Sequence, residues 1–325
     1  MIPSERTELQ KNRGLASMSA QETKQKLLPP VVDTSTALRE EISRARSSGR
    51  TIAFVPTMGA LHAGHISLIE AAENSGAYVV VSIYVNPTQF SPHEDLAAYP
   101  RTIDADRAAC RDAGVDLIFT PDDAEMYPPG DQTRVHPGPL AETMCGLFRP
   151  GHFEGVSTVV TKLFNLVQPD VAYFGQKDAQ QALIIRRMVK DLCIPVRIEV
   201  CPIVREPDGL AMSSRNAYLS TEQRSRALCL YRALCEGRDM LLHRGTGGSG
   251  DQGIQHVVYA MQNTVAKVAS PEPEPVTIDY MTVVDAETLE PATKPIGRVM
   301  LAGAVRIGET RLIDNLLIDL PADRR

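Results

Sequence analysis

The sequence lacks any apolar run long enough to cross a membrane. A membrane-spanning helix needs about 18 or more consecutive apolar residues, whereas the most apolar stretch, residues 77–85, is much shorter and contains Ser82. The first thirty residues mix acidic and basic side chains and contain no continuous apolar segment, so the central region of a secretory signal is missing. We therefore expect a protein that neither spans a membrane nor is exported.

Cysteine pairs and an excess of positive charge are also missing. The 6 cysteines include no Cys-x-x-Cys pair, which argues against a zinc ribbon or a disulfide framework and favours a reducing compartment. The 34 Lys and Arg residues face 40 Asp and Glu residues, for a net charge of −6, so the chain as a whole does not attract phosphate backbones or anionic membranes. We expect a cytoplasmic protein that binds no nucleic acid.

Two common nucleotide-binding motifs are absent as well. No Gly-x-x-x-x-Gly-Lys-Ser/Thr sequence occurs, and the single Gly-x-Gly-x-x-Gly match, residues 245–250, follows a helical pattern instead of a strand. A dinucleotide-binding glycine motif must follow a strand and open a helix, so this match fails the required context. Its composition is typical of a flexible linker.

What the sequence does contain is an alternation of strand and helix patterns over residues 31–205. Short apolar runs such as 51–56 and 171–174 have the length and composition of buried strands, and segments with apolar residues at helical spacing separate them. Strands joined through helices of ten or more residues pair in parallel through crossover connections. The pattern predicts an α/β fold with a doubly wound, Rossmann-like parallel sheet.

The remainder of the chain has a different character. Residues 206–325 contain two helical patterns, at 221–243 and 254–269, followed by strand patterns near 276–284 and 298–305. We expect a smaller α+β C-terminal domain with an antiparallel sheet that closes over the site. Residues 1–30 are expected to form a loose polar tail.

Two histidines follow the first long strand. His62 and His65 are three residues apart, so on the first turn of a helix they share one face. Gly64 between them removes a side chain that would block a ligand. The unpaired N–H groups and the dipole at a helix N-terminus favour an anion, so we expect a phosphate there. A His-x-x-His pair alone also fits two surface histidines or half of a metal site, but its position after a strand favours ligand binding.

Two more segments at predicted strand ends carry groups suited to phosphate. Lys177 and Asp178 lie at the expected start of a helix, as a polyphosphate with a bound magnesium ion would require; a solvated helix cap is the alternative. Ser213 and Ser214 stand beside Arg215 in a predicted loop, where hydroxyls and a guanidinium could bind a phosphate together. The alternative for these hydroxyls is again a helix cap.

Taken together, these segments resemble the motif set of the pantothenate synthetase family, within the nucleotidyltransferase superfamily marked by His-x-Gly-His. The order and spacing of the motifs match, and the resemblance covers residues 31–320 apart from the Gly-rich segment. Four segments carry it: 58–65, 86–90, 175–181 and 212–216.

The resemblance implies an ATP-dependent condensation of pantoate with β-alanine that gives pantothenate, AMP and pyrophosphate through pantoyl adenylate, and it implies a homodimer. The catalytic residues would be His65, His62, Lys177 and Arg215, with His65 the better candidate for the proton-donating role. The residues expected to contact ATP are Met58, Gly59, Ala60, Leu61, His62, Ala63, Gly64, His65, Gly175, Gln176, Lys177, Asp178, Val204, Met212, Ser213, Ser214 and Arg215.

The acid substrate would be held by neutral amides. Gln89 and Gln181 can each donate and accept hydrogen bonds, which suits the hydroxyls and carboxylate of pantoate. By resemblance Gln89 also meets β-alanine, and Asn86 is its expected neighbour in the substrate pocket. Asp178 is the candidate ligand for Mg²⁺.

Other functions stay open from the sequence. A related cytidylyl- or adenylyltransferase would release a nucleotide conjugate, and a non-catalytic nucleotide- or metal-binding protein would use His62 and His65 as ligands. An aminoacyl-tRNA synthetase is disfavoured because no basic segment or spare domain is available to hold tRNA.

Residues 148–155 are expected to form a loop over the site, where Arg149 and His152 could contact substrate.

Overall fold

The computed structural model describes residues 27–92, 94–243, 251–268 and 275–321. Most of the predicted polar tail, residues 1–26, and the predicted Gly-rich linker, residues 245–250, lie outside these ranges. No helix in the described ranges combines the length and apolar character needed to cross a membrane.

One parallel sheet is built from six of the described strands. In chain order they are β1 (Val31–Val32), β2 (Ile52–Thr57), β3 (Tyr78–Ile83), β4 (Leu117–Phe119), β5 (Val171–Gly175) and β6 (Arg197–Cys201). The order across the sheet is β1-β4-β3-β2-β5-β6, and every pairing is parallel. The chain therefore runs outward from β2 to β4 and then returns to the other side of β2. Open α/β sheets bind ligands where the strand order reverses in this way.

Helices and short turns connect these strands. The helices are α1 (Ser35–Ser47), α2 (Ala63–Glu73), α3 (Ile103–Ala113), α4 (Asp123–Met126), α5 (Cys145–Phe148), α6 (His152–Val167) and α7 (Ala179–Asp191). Within the described ranges, the 3₁₀ turns are Pro87–Gln89, Gly138–Ala141, Gln176–Asp178 and Ser214–Tyr218. Crossover helices between parallel strands confirm the predicted doubly wound, Rossmann-like architecture.

Strand β2 is packed on both of its faces. Successive strand residues point to opposite sides of a sheet, and Phe54 and Val55 are both fully buried. Phe54 meets Phe164 of α6 in an edge-on contact with ring centroids 6.4 Å apart, whereas Val55 lies in the core that contains Ile69 of α2. Each such buried side chain contributes about 1.5–3 kcal/mol. Packing on both faces holds the carboxyl end of β2 firmly in place.

A second, antiparallel sheet follows the parallel one. Its strands, in the order β7-β8-β9, are β7 (Val276–Asp285), β8 (Gly297–Ile307) and β9 (Thr310–Leu320). Helices α8 (Thr221–His243) and α9 (Asp251–Ala266) pack on it. Gly237 of α8 lies within this packing, and a Cβ there would lie 2.7 Å from the side-chain ends of Leu301 and Met261, which would have to shift. The α+β character is as expected, and the domain boundary at residue 205 stays a prediction.

Two local expectations are wrong. Residues 152–155, expected in a loop over the site, form the first turn of α6, where the buried Phe153 belongs to the apolar face of the helix. Strand β9 was not anticipated, because the buried polar residues Asp314 and Asn315 interrupt its apolar pattern.

Gly155 allows α6 to approach the 3₁₀ turn Pro87–Gln89. A Cβ at position 155 would lie 2.4 Å from the Thr88 carbonyl oxygen, which is backbone and cannot easily move aside. We expect Gly155→Ala to lower the free energy of unfolding by about 1–3 kcal/mol, the usual range for overpacking. Urea denaturation should show this loss, whereas Glu154→Ala, on the exposed side of the same helical turn, should change stability by less than about 0.5 kcal/mol. Equal stability of the two variants would contradict the close approach.

Candidate active site

Two histidines begin α2 at the carboxyl end of β2. His62 is the N-cap residue, and its Nδ1 accepts a hydrogen bond from the Gly64 N–H at 3.1 Å. His65 Nδ1 in turn accepts from the His62 N–H at 3.3 Å, so the two imidazoles form a reciprocal capping box. A Cβ on Gly64 would lie 2.9 Å from His62 Cε1. The position of the His62 ring itself therefore favours glycine at position 64, before any ligand is considered.

These hydrogen bonds determine which ring nitrogen carries the hydrogen. A nitrogen that accepts from a backbone N–H has no hydrogen of its own, so each neutral ring is protonated on Nε2. Burial, reinforced by the charge of Lys177, lowers the pKa of His62 to about 4. Burial, followed by the effects of His62 and Lys177, lowers the pKa of His65 to about 3. Both histidines are thus neutral hydrogen-bond donors through Nε2 at neutral pH.

A buried carboxylate supports the loop that leads to these histidines. Asp106 of α3 is 2% exposed, and it accepts hydrogen bonds from the N–H groups of Ala60 at 3.0 Å and Leu61 at 2.8 Å. Gly59 and Ala60 both adopt positive φ angles, of 81° and 49°. Left-handed backbone is unfavourable for alanine, so the two hydrogen bonds to Asp106 help to hold this loop. Sequence reasoning missed Asp106, which lies far from the motif along the chain.

The predicted substrate amide Gln89 is positioned by Asn86. Asn86 is 1% exposed, and its Nδ2 donates to Gln89 Oε1 at 3.1 Å and to the Gly155 carbonyl at 3.2 Å. Its Oδ1 accepts from the Tyr127 hydroxyl at 2.8 Å. The Gln89 Nε2 faces Met58 Sδ at 3.1 Å, and a thioether is a weak acceptor. Asn86 therefore supports the Gln89 side chain. The Gln89 Nε2 can leave the Met58 sulfur and donate to a stronger acceptor, such as a substrate oxygen.

Lys177 and Asp178 lie where three cavities meet, on the 3₁₀ turn after β5. We call the cavity that also contains His62 and His65 the histidine cleft. The predicted residues that line it are Met58, His62, Gly64, His65, Gly175, Lys177, Asp178, Gln181, Val204, Met212, Ser213, Ser214 and Arg215. Because the strand order reverses between β2 and β5, these separate segments come together at the carboxyl ends of the two strands.

The remaining predicted residues are set back from the lining of the histidine cleft. They are Gly59, Ala60, Leu61, Ala63, Asn86, Gln89 and Gln176. The Gln176 side chain turns away and donates to Asn315 Oδ1 at 3.1 Å. Tyr99, which was not predicted, lines the cleft and is almost fully buried. Direct contact of the set-back residues with ATP stays a prediction.

Two arginines at the site are each paired with an acid from one loop. Arg215 makes two hydrogen bonds to Asp95, at 3.0 and 2.9 Å, and Arg149 makes two to Glu94, both at 2.7 Å. Burial alone would raise the pKa of Asp95, but the hydrogen bond and charge of Arg215 outweigh it and lower that pKa. Arg149 also approaches His152 Nε2 at 2.9 Å. Nothing in the sequence marked the two acids beyond their closeness to the 86–90 motif.

A magnesium ion fits this site only with the help of a ligand. Within the described ranges, no three acidic, histidine or cysteine side chains come together as a metal site. Lys177 Nζ lies 3.5 Å from Asp178 Oδ2. Burial tends to raise the pKa of Asp178, but the charges of Lys177 and Arg215 outweigh this effect and lower it. Mg²⁺ is commonly held by one or two carboxylates together with substrate phosphates, which this arrangement permits.

Comparison with known proteins decides the family. The sequence profile of pantoate-beta-alanine ligase matches residues 30–317. The pantothenate synthetase of Moorella thermoacetica is 51% identical over 290 residues, which cover 89% of this chain and 99% of the relative. The chain belongs to the pantoate–β-alanine ligase family. The family resemblance expected from the four motif segments is confirmed.

Solved structures of this ligase family have the same fold. The pantothenate synthetase of Thermus thermophilus superposes with a TM-score of 0.80 at 47% identity, covering 88% of this chain and 98% of its own. The pantoate-beta-alanine ligase of Francisella tularensis, solved in complex with beta-gamma ATP and beta-alanine, gives a TM-score of 0.70 at 34% identity, covering 89% and 97%. The predicted fold class is confirmed.

Membership of the ligase family bears on the alternatives. A transferase that releases a nucleotide conjugate is disfavoured, because the matched family is a ligase that joins pantoate to β-alanine. A metal-binding role for His62 and His65 is disfavoured by the capping box, since both Nδ1 atoms already accept backbone hydrogen bonds.

The low pKa values of the two histidines lead to a measurable prediction. In a pH titration followed by NMR, the rings should protonate near pH 4 for His62 and near pH 3 for His65. The unfolded chain takes up the same protons near pH 6.5, so stability should fall as the pH is lowered from about 6.5 to about 3. The variants His62→Gln and His65→Gln assign the signals. An imidazolium signal at pH 6, or a hydrogen on Nδ1, would contradict the capping box.

Proposed function

We propose that this chain condenses pantoate with β-alanine at the expense of ATP, through a pantoyl adenylate. The observation that carries the proposal is the histidine cleft, in which three of the four motif segments, 58–65, 175–181 and 212–216, converge around Lys177. ATP as a substrate is supported by the Francisella tularensis relative, which was solved with beta-gamma ATP. The assignment of roles to individual residues is part of the proposal.

In the first half-reaction, a pantoate carboxylate oxygen attacks the α-phosphorus and pyrophosphate leaves. This brings one anion against another, so charge stabilisation in the transition state dominates the catalysis. Lys177 and Arg215 supply positive charge, while His62 and His65 donate hydrogen bonds from Nε2 without adding charge. The hydroxyls of Ser213 and Ser214 would bind phosphate oxygens, and the backbone of Val204 would meet the adenine.

Arg215 must share its charge during this step. In the structure its guanidinium faces the Asp95 carboxylate, and a phosphate would compete with that carboxylate for the same donors. A bidentate guanidinium suits either partner. We therefore place Lys177, whose side chain lines all three cavities, ahead of Arg215 as the main stabilising charge.

Two neighbouring glutamines on α7 have different roles, and only the second is assigned to pantoate. Gln180 is buried, and its Nε2 donates to the carbonyls of Leu140 at 2.9 Å and Thr143 at 2.8 Å, so its role is structural. Gln181 lines the histidine cleft and the cavity next to it. We assign Gln181 and Gln89 to the hydroxyls and carboxylate of pantoate, because neutral amides bind these groups without adding charge.

In the second half-reaction, the β-alanine amine attacks the acyl carbon of the adenylate. The amide bond forms, the amine loses a proton, and AMP leaves with the bonding electrons. Less negative charge has to be offset here than in the first step.

Mg²⁺, when bound, would neutralise phosphate charge as a Lewis acid, and Asp178 is the residue that would hold it. The homodimer and the cytoplasmic location stay predictions from the sequence and its family resemblance.

The direct test of this function is product analysis. Incubation of the protein with MgATP, pantoate and β-alanine should yield pantothenate, AMP and pyrophosphate in equal amounts. Omission of any one substrate should stop pantothenate formation. Release of an AMP conjugate as the final product would instead favour a transferase and contradict the proposal.

The two half-reactions should separate in a Lys177→Ala variant. Without β-alanine, the wild type with pantoate and MgATP should release one burst of pyrophosphate and retain the adenylate. Lys177→Ala should slow this burst by about 10²-fold or more, the size expected when one preorganised charge-stabilising group is lost. Supplied with preformed adenylate and β-alanine, the same variant should lose far less activity.

The control is Lys190→Ala, an exposed lysine at the far end of α7, which should leave the burst unchanged. Equal impairment of both half-reactions in Lys177→Ala would contradict the assignment of Lys177 to adenylation. A wild-type enzyme that releases pyrophosphate only after β-alanine is added would contradict the two-step mechanism.

A further inference from the structure

The antiparallel sheet reaches the active site through a buried asparagine on β9. Asn315 is 2% exposed, and its Nδ2 donates to the carbonyl oxygens of Gln176 at 2.9 Å and Lys177 at 3.1 Å. Its Oδ1 accepts from Gln176 Nε2 at 3.1 Å. All three of these hydrogen bonds go to the short turn that carries Lys177.

That turn has little to hold it in place by itself. It is a 3₁₀ turn of 3 residues between β5 and α7, and 3₁₀ geometry is weaker than that of an α-helix. Neither Gly175 before the turn nor Asp178 at the start of α7 provides a side-chain cap. The amide of Asn315 holds the turn instead, by donating to two of its carbonyl oxygens, and it does so from a separate sheet.

Asn315 is itself firmly held. Its N–H donates to Asp314 Oδ1 at 2.7 Å, and Asp314 receives two hydrogen bonds from Arg205, at 2.6 and 2.9 Å. The Arg205 guanidinium also lies over the ring of Tyr231 on α8, 4.1 Å from its centroid. A charge-assisted bidentate pair of this kind is among the stronger contacts a protein makes. The asparagine is therefore attached rigidly to the antiparallel sheet and α8.

We propose that Asn315 is a positioning residue for the adenylation step: it holds the backbone of Lys177 so that the ammonium group stays aligned with the reacting phosphate. The inference rests on the proposed function, since it concerns the same site. It also gives the antiparallel sheet a part in the chemistry, because the alignment of Lys177 then depends on the docking of β9 against the end of β5.

A purely structural asparagine would behave differently from a positioning residue. Loss of a structural contact lowers stability and impairs both half-reactions together, as the docking of β9 weakens. Loss of a positioning contact impairs the step in which Lys177 acts and spares the other. A misplacement of about 1 Å can cost about 10²-fold in rate, so a shift in the turn is measurable without unfolding.

The experiment uses Asn315→Ala and Asn315→Ser in the full-length chain. Alanine removes the amide, and serine keeps a small polar group that is too short to span both carbonyls. We expect either variant to slow the pyrophosphate burst by about 10- to 100-fold, with a much smaller loss when preformed adenylate and β-alanine are supplied. Thermal melts identify the variants that remain folded. Asp319→Ala, on the same strand with an 83% exposed side chain, should match the wild type.

A double-mutant cycle shows whether Asn315 acts through Lys177. In a Lys177→Ala background, Asn315→Ala should slow the burst by no more than about twofold further, because independent sites add and coupled sites do not. A wild-type burst in a folded Asn315 variant, equal loss in both half-reactions, or a full additional loss in the Lys177→Ala background would each overturn the inference. A wild-type enzyme that makes no pyrophosphate from MgATP and pantoate would contradict the proposed function instead.

Discussion

The reversal of strand order beside β2 is the constraint on which the site depends. Because β3 and β4 lie on one side of β2 and β5 and β6 on the other, the connections that leave β2 and β5 diverge and open a crevice between them. The histidine cap of α2 forms one wall of this crevice, and the turn with Lys177 forms the other. Parallel strands packed on both faces keep the two walls at a fixed separation, which a pair of flexible loops could not do.

Within that crevice, neutral histidine side chains donate hydrogen bonds, and the arginines are paired with carboxylates. Desolvation keeps His62 and His65 uncharged, so they add hydrogen bonds without repelling Lys177. Arg149 and Arg215 are paired with Glu94 and Asp95. A site made only of unpaired cations would hold the released pyrophosphate and AMP tightly, whereas paired cations can exchange one anion for another.

How much could be read from the sequence depended on whether a residue acts locally. His62, His65 and Lys177 could be proposed as site residues because each stands at a strand end within a motif, and the parallel sheet followed from the alternation of apolar runs. Asp106 and Asn315 were missed because they act on segments that are distant along the chain. In β9, the buried polar side chains of Asp314 and Asn315 also interrupt the apolar pattern, so this strand was not anticipated.

The most direct test of this account is a crystal structure with Mg²⁺, pantoate and a non-hydrolysable ATP analogue. The account predicts that phosphate oxygens lie within about 3.2 Å of the Nε2 atoms of His62 and His65 and of Lys177 Nζ, with the pantoate carboxylate next to the α-phosphorus. Nδ1 of both histidines should keep its backbone hydrogen bond, and Asn315 should stay bound to the Lys177 carbonyl. Phosphates bound outside the histidine cleft, or contacted through Nδ1, would contradict it.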